Sequence, residues 1–366
     1  MPLKVQELIA LLEKAVGVAG NAPEKKVILG DVFQPGGFGK HSELDSHDPL
    51  SKDQTQHILR LLIQLTETET KASYAKEGRQ GLRDQRLGAL REIARWADSG
   101  DTTSKTFANV DRYQVAVQLA LRVRRPSSMN QGPQGFCGPA AVLVPYIRTD
   151  PVRYVRFVTE LFDRGTASFG QQFVNPAGAP DFCNGWESDK GPAADYIALG
   201  SLRVCVEAVV AAPADGGRAF DFADSDAHAT TPQQMTILLA RAGYRNVQEH
   251  ALRDYTTARD HHRLATARTN LDQCAQALAG PTGRLVIMLV HAKIALHAKR
   301  GHKLEGDAHV KELHELHWIF VKRLTVDAAQ KAVTMKLFTW RWSNTCNYAL
   351  SEFLPRYFGY ICADPA

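Results

Sequence analysis

From residue 284 to the C-terminus, the hydrophobic residues of this 366-residue chain fall in short runs rich in β-branched and aromatic side chains. Upstream they recur at helical spacing instead. The runs are RLVIMLV at 284–290, HWIFVKRL at 317–324, VTMKLFTW at 333–340 and RYFGYICA at 356–363. Helices first and strands last predict an α+β fold, because a parallel sheet needs strands and helices to alternate.

The upstream helices are expected over 5–16, 52–71 and 80–96, the second with Ile58, Leu61, Leu62 and Leu65 along one side. Between the first two, residues 32–51 read as a surface loop rich in Pro, Gly, Ser and Asp. Gly100 within DSGDTTSK marks a change of texture, so a helical region over 1–110 is expected to precede a domain over 111–366. Further on, two helices carry legible ends. Asp150 and Pro151 open one with Val152, Val155, Val158, Leu161 and Phe162 on a face and Gly165 beyond its last turn. Thr231, Pro232 and Gln234 form a capping box before MTILLARA, which Gly243 stops.

With 44% hydrophobic and 23% charged residues the chain has an ordinary globular composition. Its formal charge of +5 comes from 44 basic and 39 acidic residues scattered without long like-charge runs, which is too mild to argue for a nucleic-acid partner. The basic residues are read as solvated surface. Glu7 and Glu13 interrupt the N-terminal apolar pattern, so no signal peptide is expected and synthesis in the cytoplasm follows. A signal-independent route of secretion leaves the same pattern. Apolar runs such as 285–290 fall well short of the roughly 20 residues a membrane span needs. Six cysteines without a CxxC pair read as reduced thiols.

One of them, Cys137, stands apart. In NQGPQGFCGPAAVLVPYI it lies where a glycine-rich turn meets an apolar, helix-like run. Only a thiolate attacks, and the positive end of a helix dipole is expected to favour that form here. Gly135 and Gly138 permit tight backbone geometry, and Pro139 suits a first helical turn. Acyl transfer also needs donors for an oxyanion, commonly the nucleophile's own N–H and a side-chain amide. Gln131, six residues before Cys137, is placed to supply that amide.

NQGPQGFCGPAA resembles the active-site segment of papain-like cysteine peptidases. The tryptophan that often follows the papain cysteine is missing, and CGPAA is more similar to bacterial branches such as the peptidase domains of bacteriocin-processing transporters. The resemblance implies a helical half carrying the cysteine and an antiparallel sheet presenting a histidine at the start of a strand. His317 in LHWIFVKRL fits that place, and GRLVIMLV resembles the preceding strand. His314 is the rival but does not open the strand. His317 is then the acid and base for Cys137.

The family's third member, an Asn or Asp on the partner strand, has no counterpart here. A hairpin turning around 326–331 brings FTWRW opposite His317, which leaves Thr339 to orient the ring, with Asn344 just past the strand. A Cys–His dyad is the other outcome. More broadly, the order of CGPAA, DPVRYVRFVTELFDRG, PAADYIALGSLR, TPQQMTILLARAGY, HWIFV and FTW resembles bacterial papain-like toxins of contact-dependent or type VI secretion. That resemblance implies an antibacterial effector acting on a protein or peptide substrate. It also implies an immunity protein or secretion component as partner, and delivery, chaperone or autoinhibitory contacts for residues 1–110. Peptidase, amidase, deamidase and transglutaminase share the chemistry, and an inactive papain-like binding module keeps only the fold.

No cofactor is expected. The histidines at 291, 297, 302 and 309 match no zinc pattern, so no metal site is expected. Gly216 and Gly217 lack a following lysine-serine signature for phosphate. Cys183, Cys205, Cys274, Cys346 and Cys362 are read as structural.

Overall fold

The computed structural model describes residues 5–18, 50–68, 81–132, 135–187, 190–207, 230–252, 261–280, 284–300, 316–339 and 342–365. The expected loop over 32–51 therefore lies outside the described residues except for its last two positions, as do His302, His309, His314, Gly216 and Gly217. Two compact units divide the chain. Residues 1–132, 146–167 and 174–201 form the first, and residues 133–145, 168–173 and 202–366 the second.

The first unit is helical. It contains α1 (Val5–Gly17), α2 (Lys52–Glu67), α3 (Leu82–Asp98) and α4 (Arg112–Arg124). It also takes the end of α5 (Cys137–Thr149), all of α6 (Pro151–Arg164) and α7 (Pro180–Asn184), and most of α8 (Ala193–Glu207). Local sequence chemistry sets these ends. Ser51 and Gln54 close a capping box on α2, and Ile58, Leu61, Leu62 and Leu65 are all buried. The Asp150 side chain accepts the Arg153 N–H at the start of α6, and Gly165 ends that helix at φ 71°.

The units do not part at residue 110. Helix α4, just beyond that point, packs with α2 and α3 because it is buried nearly all round, Gln118 and Arg122 included. Arg122 makes a bidentate pair with Asp195 at 2.9 and 2.6 Å, inaccessible to solvent, and Asp195 Oδ2 also accepts the Asn130 N–H at 2.7 Å. Solvated surface is thus the wrong reading for part of the basic set, since Arg112, Arg122, Arg203, Arg263 and Arg356 are buried. Arg122 is held inside by acceptors on Asp195 and on Ser128.

A short hairpin, β1 (Ala167–Phe169) and β2 (Gln172–Val174), spans the chain near the boundary. The second unit holds α9 (Pro232–Arg241), α10 (His261–Ala279), α11 (Ala292–Arg300) and α12 (Leu350–Phe353) around one six-stranded sheet. Its strands are β3 (Arg245–Ala251), β4 (Leu285–His291), β5 (Leu316–Asp327), β6 (Ala332–Thr339), β7 (Trp342–Ala349) and β8 (Tyr357–Asp364). They lie in the order β3-β8-β4-β5-β6-β7, and every neighbouring pair is antiparallel. The protein is α+β.

Central β4 is buried at all seven positions, so both faces of the sheet are covered there. Ala267, Leu271 and Cys274 of α10 close one face over Val286, Met288 and Val290 of β4 and Ile319 and Val321 of β5. Two features of the sheet position the site described below. Val290 of β4 pairs with His317, which holds the first residues of β5 in the middle of the sheet. The turn after β5 occupies 328–331, and a register shift between Val321 and Arg323 brings the end of β6 back toward the start of β5.

Among the described residues no helix is long and apolar enough to cross a membrane. No group of three or more His, Cys, Asp or Glu among them is arranged to hold a metal ion.

Candidate functional site

Cys137 is the first residue of α5. The first helical hydrogen bond there runs from the Ala140 N–H to the Phe136 carbonyl at 3.0 Å, and Pro139 has no N–H. The N–H groups of Cys137 and Gly138 are therefore left over at the helix start, where they favour the ionised form of the Cys137 thiol. A third N–H comes from Trp318 of β5, the residue after His317. Cys137 and the histidine strand both belong to the second unit.

Gly138 is needed for closeness, not for an unusual backbone angle. A Cβ there would lie 2.4 Å from Thr230 Oγ1 and 2.8 Å from Met235 Sδ. The N-terminal turn of α9 rests on this bare patch of α5, and Thr231 and Gln234 close its expected capping box. The Trp318 indole N–H donates to the Thr230 carbonyl at 2.6 Å, which ties β5 to the same turn.

His317 is buried, and its Nε2 lies 2.5 Å from Thr339 Oγ1 at the end of β6. Asn344 instead lies within β7, opposite Leu337. Residues 340 and 341 of the FTWRW stretch are outside the described residues.

The resting protonation differs from the expected ionised thiol. Burial pushes the Cys137 thiol above its ordinary value, outweighing the three N–H groups and the nearby Arg203 guanidinium, all of which favour the thiolate. Burial likewise lowers the His317 imidazole to about 3. Both groups are neutral at pH 7. A charge that develops on either one therefore meets preset dipoles and little water.

Gln131 is buried on the loop between a 3-10 turn (Pro126–Ser128) and Gly132, and belongs to the first unit, whereas Cys137 belongs to the second. Its neighbour Asn130 anchors that loop, accepting the Gly132 N–H through Oδ1 at 3.1 Å and donating its own N–H to Asp195. His317 and Thr339 are hydrogen-bonded to each other, and Cys137 belongs to the same unit.

Arg203, Thr230, Gln234 and Trp318 lie around the start of the cysteine helix or influence its thiol, and in the sequence only Gln234 stands out, as part of a capping box. Arg203 left one signal, a cation inside the otherwise apolar stretch SLRVCV of α8. All six cysteines are free thiols, with Cys346 the most accessible. Comparison of the chain with known protein families, with characterised proteins and with solved structures returns no match.

Proposed function

We propose that the chain is a papain-like cysteine hydrolase, working as a peptidase through a covalent acyl-enzyme on Cys137. The observation that carries this reading is a cysteine at the first position of a helix, in the same unit as a strand-start histidine, His317, whose ring is hydrogen-bonded to Thr339. A helix that begins at Cys137 and an antiparallel strand with His317 as its second residue support the papain-like reading. The oxyanion site then draws on the Cys137 N–H.

Chemistry follows from the tautomer. With the Nε2–H donating to Thr339 Oγ1, Nδ1 is the basic nitrogen and takes the thiol proton as sulfur bonds to the amide carbonyl carbon. The imidazolium returns that proton to the leaving nitrogen as the C–N bond breaks, and water then cleaves the thioester. Thr339 replaces the family's amide or carboxylate as orienter, holding the ring without adding negative charge. Amidase, deamidase and transglutaminase activities use the same steps with a different amide or a different acyl acceptor. We further assign the chain the role of an antibacterial effector, on the strength of the resemblance to secreted toxins.

A second reading, a binding module without turnover, is favoured by one observation: thiol and imidazole are both buried and both neutral at rest. Site-mapped alkylation with iodoacetamide at pH 7.5 separates the two. The hydrolase reading expects Cys137 to react faster than Cys274 or Cys362 and to slow by roughly tenfold or more in His317→Ala. Reaction of Cys137 as slow as that of the core thiol Cys274 in the wild-type protein would establish the module.

A further inference from the structure

Arg203 lies near the end of α8, in the portion that belongs to the second unit, and its side chain is buried. Its Nη1 donates to Gln234 Oε1 at 2.9 Å. Gln234 is the third residue of α9, and the same Oε1 accepts the Thr231 N–H at 2.9 Å. The turn that holds the guanidinium is also the turn on which Gly138 rests, through Thr230 and Met235. One short stretch, residues 230–235, therefore contacts the start of the cysteine helix, the cation and, through the Thr230 carbonyl, the indole of Trp318.

We propose that Arg203, fixed on Gln234, is a positioning residue that supplies the permanent positive charge against which the buried Cys137 thiolate forms. It acts through the sulfur and touches no reacting atom of a substrate. Backbone dipoles alone rarely offset the removal of an anion from water, whereas a fixed cation in a low-dielectric surrounding acts strongly and needs no reorganisation. The direction of the guanidinium's influence on the Cys137 thiol agrees, since it favours the ionised sulfur. Arginine suits the place better than lysine, because it stays charged when buried. A sequence search for a catalytic Asp or Asn beside the histidine misses it, because this charge sits on the sulfur side of the pair and is neither carboxylate nor amide.

The proposal rests on Cys137 being the nucleophile, and its test keeps the two apart. The probe is the pH dependence of iodoacetamide alkylation at Cys137, mapped by mass spectrometry, in which sulfur displaces iodide and its proton passes to solvent. Wild type is compared with Arg203→Met, Arg203→Lys and Gln234→Glu. The last is nearly isosteric, keeps the capping box and sets a carboxylate against the guanidinium, so it cancels the charge while retaining the packing. Arg203→Met and Gln234→Glu are expected to move the alkylation profile to higher pH and to slow modification at pH 7 by about tenfold. Arg203→Lys is expected to recover part of the rate. An unchanged profile in Gln234→Glu, with protection of Cys274 showing the core intact, overturns the role of Arg203, and this variant decides the matter if Arg203→Met does not fold. Slow wild-type alkylation that is indifferent to His317→Ala overturns the hydrolase reading instead, because the Arg203 comparison reads a shift between variants and not an absolute rate.

Discussion

At the scale of single residues, burial sets the resting state of the pair. The His317 imidazole is lowered from 6.5 to about 3, so between these values the unfolded chain binds a proton that the folded protein refuses. Folding stability is therefore complete above about pH 6.5 and falls as the pH drops toward 3. The difference reaches roughly 2 kcal/mol near pH 5, at about 1.4 kcal/mol per pH unit. Urea unfolding of the wild type and of His317→Gln across pH 4 to 7 checks this, and the variant is expected to lose most of that slope. Equal slopes would show that His317 titrates normally in the folded protein. The residue types at Cys137 and His317 were legible because each opens an element in the sequence. Their neutral protonation was not, since it depends on how much protein covers them.

At the scale of elements, helix ends are legible in the sequence where local chemistry decides them. The Asp150 cap, the Gly165 stop and the Thr231–Gln234 box each involve residues within a few positions of one another. Strand β3 escaped notice because most of its residues are exposed and no alternation of apolar and polar positions results. Helix α10 escaped for a related reason: it reaches the core through the narrow stripe of Ala267, Leu271 and Cys274. The contact of α9 with α5 is the element-level feature on which the site depends. Gly138→Ala drives a methyl group into Thr230 and Met235, and a destabilisation of about 1–3 kcal/mol is expected from overpacking. Thermal unfolding measures that cost, and alkylation of the same variant is expected to be slower, since the sulfur moves relative to the Trp318 N–H. A variant as stable as wild type would show that α9 yields easily.

At the scale of the whole molecule, the proposed effector role predicts a phenotype. Expression directed to the bacterial cytosol or periplasm is expected to slow growth, and Cys137→Ala is expected to abolish the effect at equal protein level. Equal toxicity of the alanine variant would separate any growth defect from thiol chemistry.

The amino-acid sequence by itself determined the α+β class and the ends of several helices, because these depend on periodicity and neighbours along the chain. Only the tertiary structure decided that two discontinuous units replace a break at residue 110, that several arginines are interior, and that residues 230–235 brace the start of the cysteine helix at Gly138. Those features arise from contacts between segments far apart in sequence, where burial and close approach change what a given side chain is able to do.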